Sequence, residues 1–194
     1  MINSGLFKKI EESYSRYYKE REGVVTSSRK VLLNSKEAIF ALQRNDLDKA
    51  EKLVFEAKEI ISEMSKKFVR DNRLRYEGSF KEGLEEFVEA NLFLQFEKEK
   101  KIDLVKDLDI SSEEYIAGIC DFTGELLRKV VKLVTEGKKK EIEVYSECVE
   151  NIVAELIKLD LRGYLRYKFD QAKRNLKEFE KILYEIRLIE EKND

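Results

Sequence analysis

The chain has 194 residues and is 40% charged and 42% hydrophobic, with no proline, no tryptophan and eight glycines. That is the composition of long helices, and it excludes a sheet fold that needs many tight turns. Its 38 basic and 40 acidic groups leave a net charge of -2, so charge alone neither selects nor rejects a polyanionic partner. Histidine is absent, which excludes an imidazole base, a Ser-His-Asp or Cys-His nucleophile and a His-ligated zinc. Enzymatic chemistry here would rest on carboxylates, amines, phenols, thiols or a hard metal with oxygen ligands.

The first predicted helix runs over residues 4–44. Phe7, Ile10, Tyr14, Tyr17, Arg21, Val24, Ser28, Val31, Ser35, Ala38 and Leu42 recur by threes and fours, a heptad-like seam with polar interruptions. Asn45 ends it and Asp46 caps the next helix, which runs to residue 68 with Leu47, Val54, Ile60, Ile61 and Met64 inside. The basic stretch VRDNRLRYEG follows, with a short helix or a bend near Gly78. A third helix spans 79–100. KEKKIDLVKDLDI reads as mostly loop. A cap at Ser111 or Ser112, with Glu113 and Glu114 in the first turn, starts a helix that stops at Gly137. Another helix covers 139–159. The last covers 163–191, with a strict seam of Leu165, Phe169, Ala172, Leu176, Phe179, Leu183 and Ile186 and outward Tyr164, Tyr167 and Tyr184. That seam serves either the core of the chain or packing between subunits.

The pattern gives an all-α bundle of six to seven antiparallel helices in one domain over residues 1–194. No apolar run reaches the roughly 20 residues of a membrane span, and no signal peptide is visible. Cys120 and Cys148 sit in apolar helical patterns and read as free thiols of a reducing, cytoplasmic compartment.

Three acidic faces stand out. In GLEEFVEANLFLQF, Glu82, Glu86 and Glu89 share one side of a helix, and Phe93 and Phe96 continue that same side. A carboxylate face thus leads into a packed stripe. Carboxylates three apart can share a hard cation, although a solvated acidic face near a helix start is the common alternative. In YIAGICDFTGELLRK, the core side is Ile116, Ile119, Thr123, Leu126, Leu127 and Val130. Asp121 and Glu125 lie opposite, flanked by Gly118 and Gly124, which admit a close backbone or a ligand. In EVYSECVENIVAEL, Glu147 and Glu150 lie off the stripe of Tyr145, Cys148, Val149, Ile152, Val153 and Leu156.

Four blocks in order carry a family resemblance: RYYKEREGVVTSSRKVLLNSKEAIFALQR, GLEEFVEANLFLQF, YIAGICDFTGELLRK and LRYKFDQAKRNLKEFEKILYEI. They resemble the translin superfamily over residues 16–190, and within it the translin-associated factor X (TRAX) branch. The resemblance implies a translin-like helical bundle assembled into a hollow octamer. It also implies a Mg²⁺-dependent (or Mn²⁺-dependent) endoribonuclease cutting single-stranded RNA inside the shell. The two glutamates of the family's most diagnostic block match Glu86 and Glu89. A third family carboxylate, an aspartate on the penultimate helix, falls at Ala154, with Glu155 at the following glycine. Glu150 or Asp121 stands as its replacement.

The expected catalytic set is therefore Glu86, Glu89, Asp121 and Glu150, and the metal set Glu86, Glu89, Asp121, Glu125 and Glu150. Arg29, Lys30, Lys36, Arg44, Arg70, Arg73 and Arg75 are the expected phosphate contacts, with Tyr76 to stack a base. Two alternatives compete: a non-catalytic shell binding single-stranded RNA or DNA, kept in play by Ala154, and a helical adaptor that binds no nucleic acid.

Overall fold

The computed structural model describes residues 3–68 and 71–191. Six α-helices account for most of it: α1 (Ser4–Gln43), α2 (Leu47–Phe68), α3 (Gly78–Glu99), α4 (Ser112–Thr135), α5 (Ile142–Leu156) and α6 (Gly163–Glu191). Short 3-10 turns at Asn72–Tyr76 and Lys139–Glu141 precede α3 and α5. The fifth helix is thus shorter than its sequence pattern at both ends.

The boundaries follow from local chemistry. Asn45 adopts a left-handed φ of 63° that ends α1, and the Asp46 carboxylate accepts from the Lys49 backbone N–H. Ser111 and Glu114 form a reciprocal capping box at the start of α4. Gly137, at φ 74°, ends that helix where a side chain would be strained.

The helices form two up-down-up triplets. Arg21 bonds Glu77 at one end of the α1–α3 contact, and Lys36 faces Glu86 farther along, so α1 and α3 run in the same sense. α2 runs antiparallel to both and packs mainly on α1, with Phe68 edge-on to Phe80 and Lys98 bonded to Glu51. In the second triplet Lys168 meets Asp121, Asn175 bonds Thr123, and Lys139 pairs with Glu190. α4 and α6 are therefore parallel, with α5 antiparallel to both. Neighbours in sequence are antiparallel within each triplet, as the pattern predicts. The segment between α3 and α4 runs back along the bundle, which makes those two helices parallel. It is irregular but docked: the Asp103 N–H donates to Gln95, the Val105 N–H donates to the Tyr115 hydroxyl, and Ile102, Val105, Leu108 and Ile110 pack on the core.

One contiguous core joins all six helices. The α1 seam is buried from Val24 to Leu42, but Phe7, Ile10 and Tyr14 are exposed, because the first turns of α1 project beyond the helices that cover the rest. Leu47, expected inside, is also exposed. The α6 seam goes to the interior of the chain: Phe169, Ala172, Phe179 and Ile186 are buried against α4 and α5. Subunit packing is thus not what that seam is made for, while Tyr164, Tyr167 and Tyr184 point outward as predicted.

Candidate functional site

The acidic face of α3 goes from water into the core. Glu82 is exposed, the Glu86 side chain is 20% exposed, Glu89 is 7% exposed and Phe93 is fully buried. Burial raises the pKa of Glu86, an effect that Lys36 partly offsets at 4.0 Å and that Asp121 and Glu125 reinforce. Glu89 is the extreme case. Burial pushes its pKa well up, and the charges of Glu86, Asp121 and Glu125 add to that. Glu89 has neither a hydrogen bond nor an ion pair with any of the described residues. A largely buried carboxylate without a hydrogen-bond partner is costly, because it loses most of its hydration and only the more distant Lys168 charge offsets the loss.

α4 brings the other two carboxylates, and Gly118 permits the approach. A Cβ at Gly118 would lie 2.7 Å from the Val88 side chain and 2.8 Å from the Glu85 carbonyl oxygen, so only glycine lets α4 lie this close to α3. Gly124 has no such role; a Cβ there would make ordinary contact with Asn175 at 3.5 Å. Asp121 and Glu125 are not on an outer face, as the periodicity suggests. α6 and the end of α1 cover them, and both are half-buried. Lys168 of α6 holds Asp121 in a short ion pair. Burial works against the Lys168 ammonium, yet the hydrogen bond and charge of Asp121 hold its pKa above the ordinary value. Gln43 of α1 donates to the Glu125 carboxylate at 2.8 Å, and Arg128 lies 3.5 Å from it.

Sequence reasoning missed three of these groups. Lys168 and Gln43 come from helices far away in the chain, and no local pattern points to them. Glu85, beside Glu86, turns the other way. Its carboxylate accepts from the Tyr164 hydroxyl at 2.6 Å, and burial raises its pKa.

Glu150 is not brought to this cluster. It is exposed on α5, which packs on α4 and α6, and the charges acting on Glu89 are those of Glu86, Asp121, Glu125 and Lys168. Ala154 is exposed on the same helix. The physical reason is the stripe itself: Tyr145, Val149, Ile152 and Leu156 of α5 are buried, which turns Glu150 outward.

The donor set is all oxygen, which suits a hard cation such as Mg²⁺ or Mn²⁺. Among the described residues no three acidic or thiol groups stand close enough together to hold a metal ion. Glu86 and Glu89 are the carboxylates least engaged with other groups. Asp121 and Glu125 would exchange Lys168 and Gln43 for a metal. The two thiols offer no soft alternative: Cys120 and Cys148 are free, and burial raises both pKa values to about 12.

The expected phosphate contacts divide. Arg29, Lys30, Lys36 and Arg44 are exposed along α1, Lys36 next to Glu86 and Arg44 over the Phe40 ring. Arg73 is exposed but doubly bonded to Asp71, with its guanidinium 4.4 Å from the centre of the Tyr17 ring. Arg75 is spent within the chain: two hydrogen bonds of 2.8 and 2.6 Å tie it to buried Glu114, and its side chain is only 16% exposed. A fork so matched to a carboxylate is a structural clamp between the 3-10 turn and α4. Arg70 lies outside the described residues.

Comparison with known proteins agrees with this architecture. The translin family pattern matches residues 19–189. An uncharacterized protein of Methanocaldococcus jannaschii is 30% identical over 145 residues, 72% of this chain and 63% of that protein. The translin-associated protein X homolog of Schizosaccharomyces pombe is 26% identical over 147 residues, 68% of this chain and 62% of that protein. The match thus spans somewhat under two thirds of either relative. Among solved structures, apo-NeC3PO superposes with a TM-score of 0.83 at 22% identity, covering 93% of this chain and 96% of that one. AfC3PO in complex with duplex RNA gives 0.84 at 18% identity, covering 94% and 97%. These two likenesses establish the fold. With its diagnostic α3 block, its six-helix bundle and a family match over most of its length, the chain belongs to the translin family, with a TRAX-like resemblance.

Proposed function

We propose that this chain is a metal-dependent endoribonuclease acting on single-stranded RNA, in an oligomeric shell of the translin kind, an octamer by family resemblance. The observation that carries the reading is Glu89: buried, without a hydrogen-bond or ion-pair partner among the described residues, and within reach of the charges of Glu86, Asp121 and Glu125. Four carboxylates at the meeting of α3 and α4 repel one another and would repel RNA, and a divalent cation relieves both. Glu86 and Glu89 would hold the metal first, with Asp121 and Glu125 completing its shell. When bound, Mg²⁺ or Mn²⁺ supplies Lewis acidity toward a phosphodiester and makes water a better nucleophile at neutral pH. Lys168 becomes available to a phosphate oxygen once Asp121 turns to another partner. Lys36 and Arg29, seven residues apart on α1, offer a cationic flank beside Glu86. The fold's likeness to a protein solved with duplex RNA supports the choice of polymer.

A second reading, a non-catalytic shell for single-stranded RNA or DNA, is favoured by the Lys168–Asp121 pair and by alanine at 154, which leave the acidic group short of a closed ligand set. Labelled single-stranded RNA separates the two. Cleavage with Mg²⁺, lost in EDTA and in Glu86→Ala/Glu89→Ala, supports the nuclease. Binding without cleavage by the wild type moves the assignment to the shell, and absence of binding at low salt defeats both.

A further inference from the structure

A cleft of about 520 Å³, lined by both charged and aromatic side chains, opens beside the carboxylate cluster, between the 3-10 turn before α3, the start of α4 and the start of α6. That volume is within the range of roughly 300–1,000 Å³ typical of small-ligand sites. Two tyrosines that line it are held in water: Tyr76 is 68% exposed and Tyr164 54%. The Tyr164 ring is tethered, and a cation lies by the Tyr76 ring. The Tyr164 hydroxyl donates to Glu85, and the Lys81 ammonium sits 5.5 Å from the centre of the Tyr76 ring. Glu85 is the link to the acidic site, because it lines this cleft and also feels the charge of Asp121. At the rim, Arg162 pairs only with Asp160 among the described residues, and both side chains are more than 80% exposed, so that pair is readily exchanged for phosphate. Asp109 and Glu113 also line the cleft. They disfavour phosphate in its interior but accept hydrogen bonds from base amino groups.

We infer that this cleft binds unpaired bases of a single-stranded RNA, stacked on Tyr76 and Tyr164, with Lys81 and Arg162 on the flanking phosphates, and so delivers the strand to Glu86 and Glu89. The inference rests on the proposed RNA substrate and adds where and how the strand is held. An aromatic face oriented before binding, as Tyr164 is, gives stacking energy at small entropic cost, and stacking selects single strands, because paired bases hide their faces. Tyr164 owes its orientation to Glu85, so the residue next to the metal-site glutamates sets one wall of the cleft.

The test is fluorescence-anisotropy binding of a labelled RNA oligonucleotide in EDTA, beside DNA of the same sequence. Tyr76→Leu/Tyr164→Leu removes both stacking faces and is expected to weaken RNA binding at least tenfold. Tyr164→Phe keeps the ring and is expected to stay within about threefold. Lys81→Gln/Arg162→Gln is expected to flatten the salt dependence by about 1.4, two phosphates at roughly 0.7 each. All four side chains lie at the surface, and an unchanged melting temperature verifies each fold. Unchanged affinity in the double-leucine variant overturns the cleft and leaves the nuclease reading standing. Tyrosine-dependent binding by a wild type that never cuts does the reverse. A wild type that binds no RNA at low salt removes both, and equal loss of DNA binding widens the ligand to either single strand.

Discussion

Glu89 has the same side chain as Glu82, two turns earlier, but a different energy. Glu82 is solvated, whereas Glu89 is buried among like charges. Relieving it should stabilise the protein. Glu89→Gln is expected to raise stability by roughly 1–3 kcal/mol at pH 7 without divalent cations, because the amide carries no charge for burial and for Glu86, Asp121 and Glu125 to penalise. A carboxyl whose native pKa stands above its reference value of 4.5 favours the fold below that pH and loses the advantage as pH rises through the native pKa. The difference between variant and wild type, followed by urea denaturation, should therefore be near zero at acid pH and grow toward neutrality. Millimolar Mn²⁺ should reverse the order, because a ligand bound only by the native state adds about 2.7 kcal/mol at a hundredfold excess over Kd. A wild type that gains nothing from Mg²⁺ or Mn²⁺ would remove the metal from Glu89. The i, i+3 pairing of Glu86 and Glu89 was legible in the sequence because helix geometry is local. Lys168 on Asp121 was not, because nothing within α4 or α6 states which of their turns meet.

At the scale of elements, the closest packing between α3 and α4 turns on one missing methyl group. Gly118→Ala would place a carbon 2.7 Å from the Val88 side chain and 2.8 Å from a backbone oxygen, neither of which can swing aside. Overpacking of this kind costs about 1–3 kcal/mol. It should also move Asp121 and Glu125 away from Glu86 and Glu89, so RNA cleavage should fall more than stability does. Gly124→Ala is the matched control. It has room, and replacing a helical glycine should be neutral or stabilising by up to about 1 kcal/mol. Chemical denaturation and a cleavage assay on both variants separate the effects, and equal losses would mean that Gly118 has no positioning role. Helix ends were largely readable here because caps are local chemistry: Asn45, Ser111 and Gly137 all act where the pattern put them. What α1 packs against was not readable. Its heptad-like seam, polar interruptions included, keeps its spacing from Phe7 to Leu42, but only the part from Val24 onward is buried, and where neighbouring helices end is a tertiary fact.

At the scale of the whole molecule, the two triplets are fastened by a second buried polar group, one turn of α4 beyond Glu125 of the acidic site. Lys129 is 2% exposed, and its ammonium donates to the Leu42 carbonyl and the Asn45 side chain at 2.7 Å each, with Glu97 at 3.3 Å. Glu97 also accepts from the Tyr145 hydroxyl at 2.7 Å, and Lys100 bonds Tyr145 in turn. One charge thus ties the α1–α2 turn, α3 and α4 together, and through Glu97 reaches α5. Helical periodicity would give a lysine to solvent, so the sequence conceals this arrangement. The parallel placement of α3 and α4, set by the docked crossover, brings Lys129 and Glu97 together. The contrast with Glu89 is instructive: both are buried ions, but Lys129 has every partner it can use and Glu89 has none. Opposite outcomes should follow from neutralising them. Lys129→Met keeps the length of the side chain but takes the donor from two helix-end acceptors and one of the cations from Glu97, which retains Tyr145 and Lys100 at 3.6 Å. The loss should therefore reach at most about 3–5 kcal/mol, the cost of a buried pair broken from one side. Urea denaturation should show a lower midpoint with an unchanged slope, as expected for a folded but weakened bundle. The double variant Lys129→Met/Glu97→Gln should recover part of that loss, because no charge is then buried alone. If Lys129→Met is as stable as the wild type, the polar group does not fasten the triplets, and the apolar core alone holds them together.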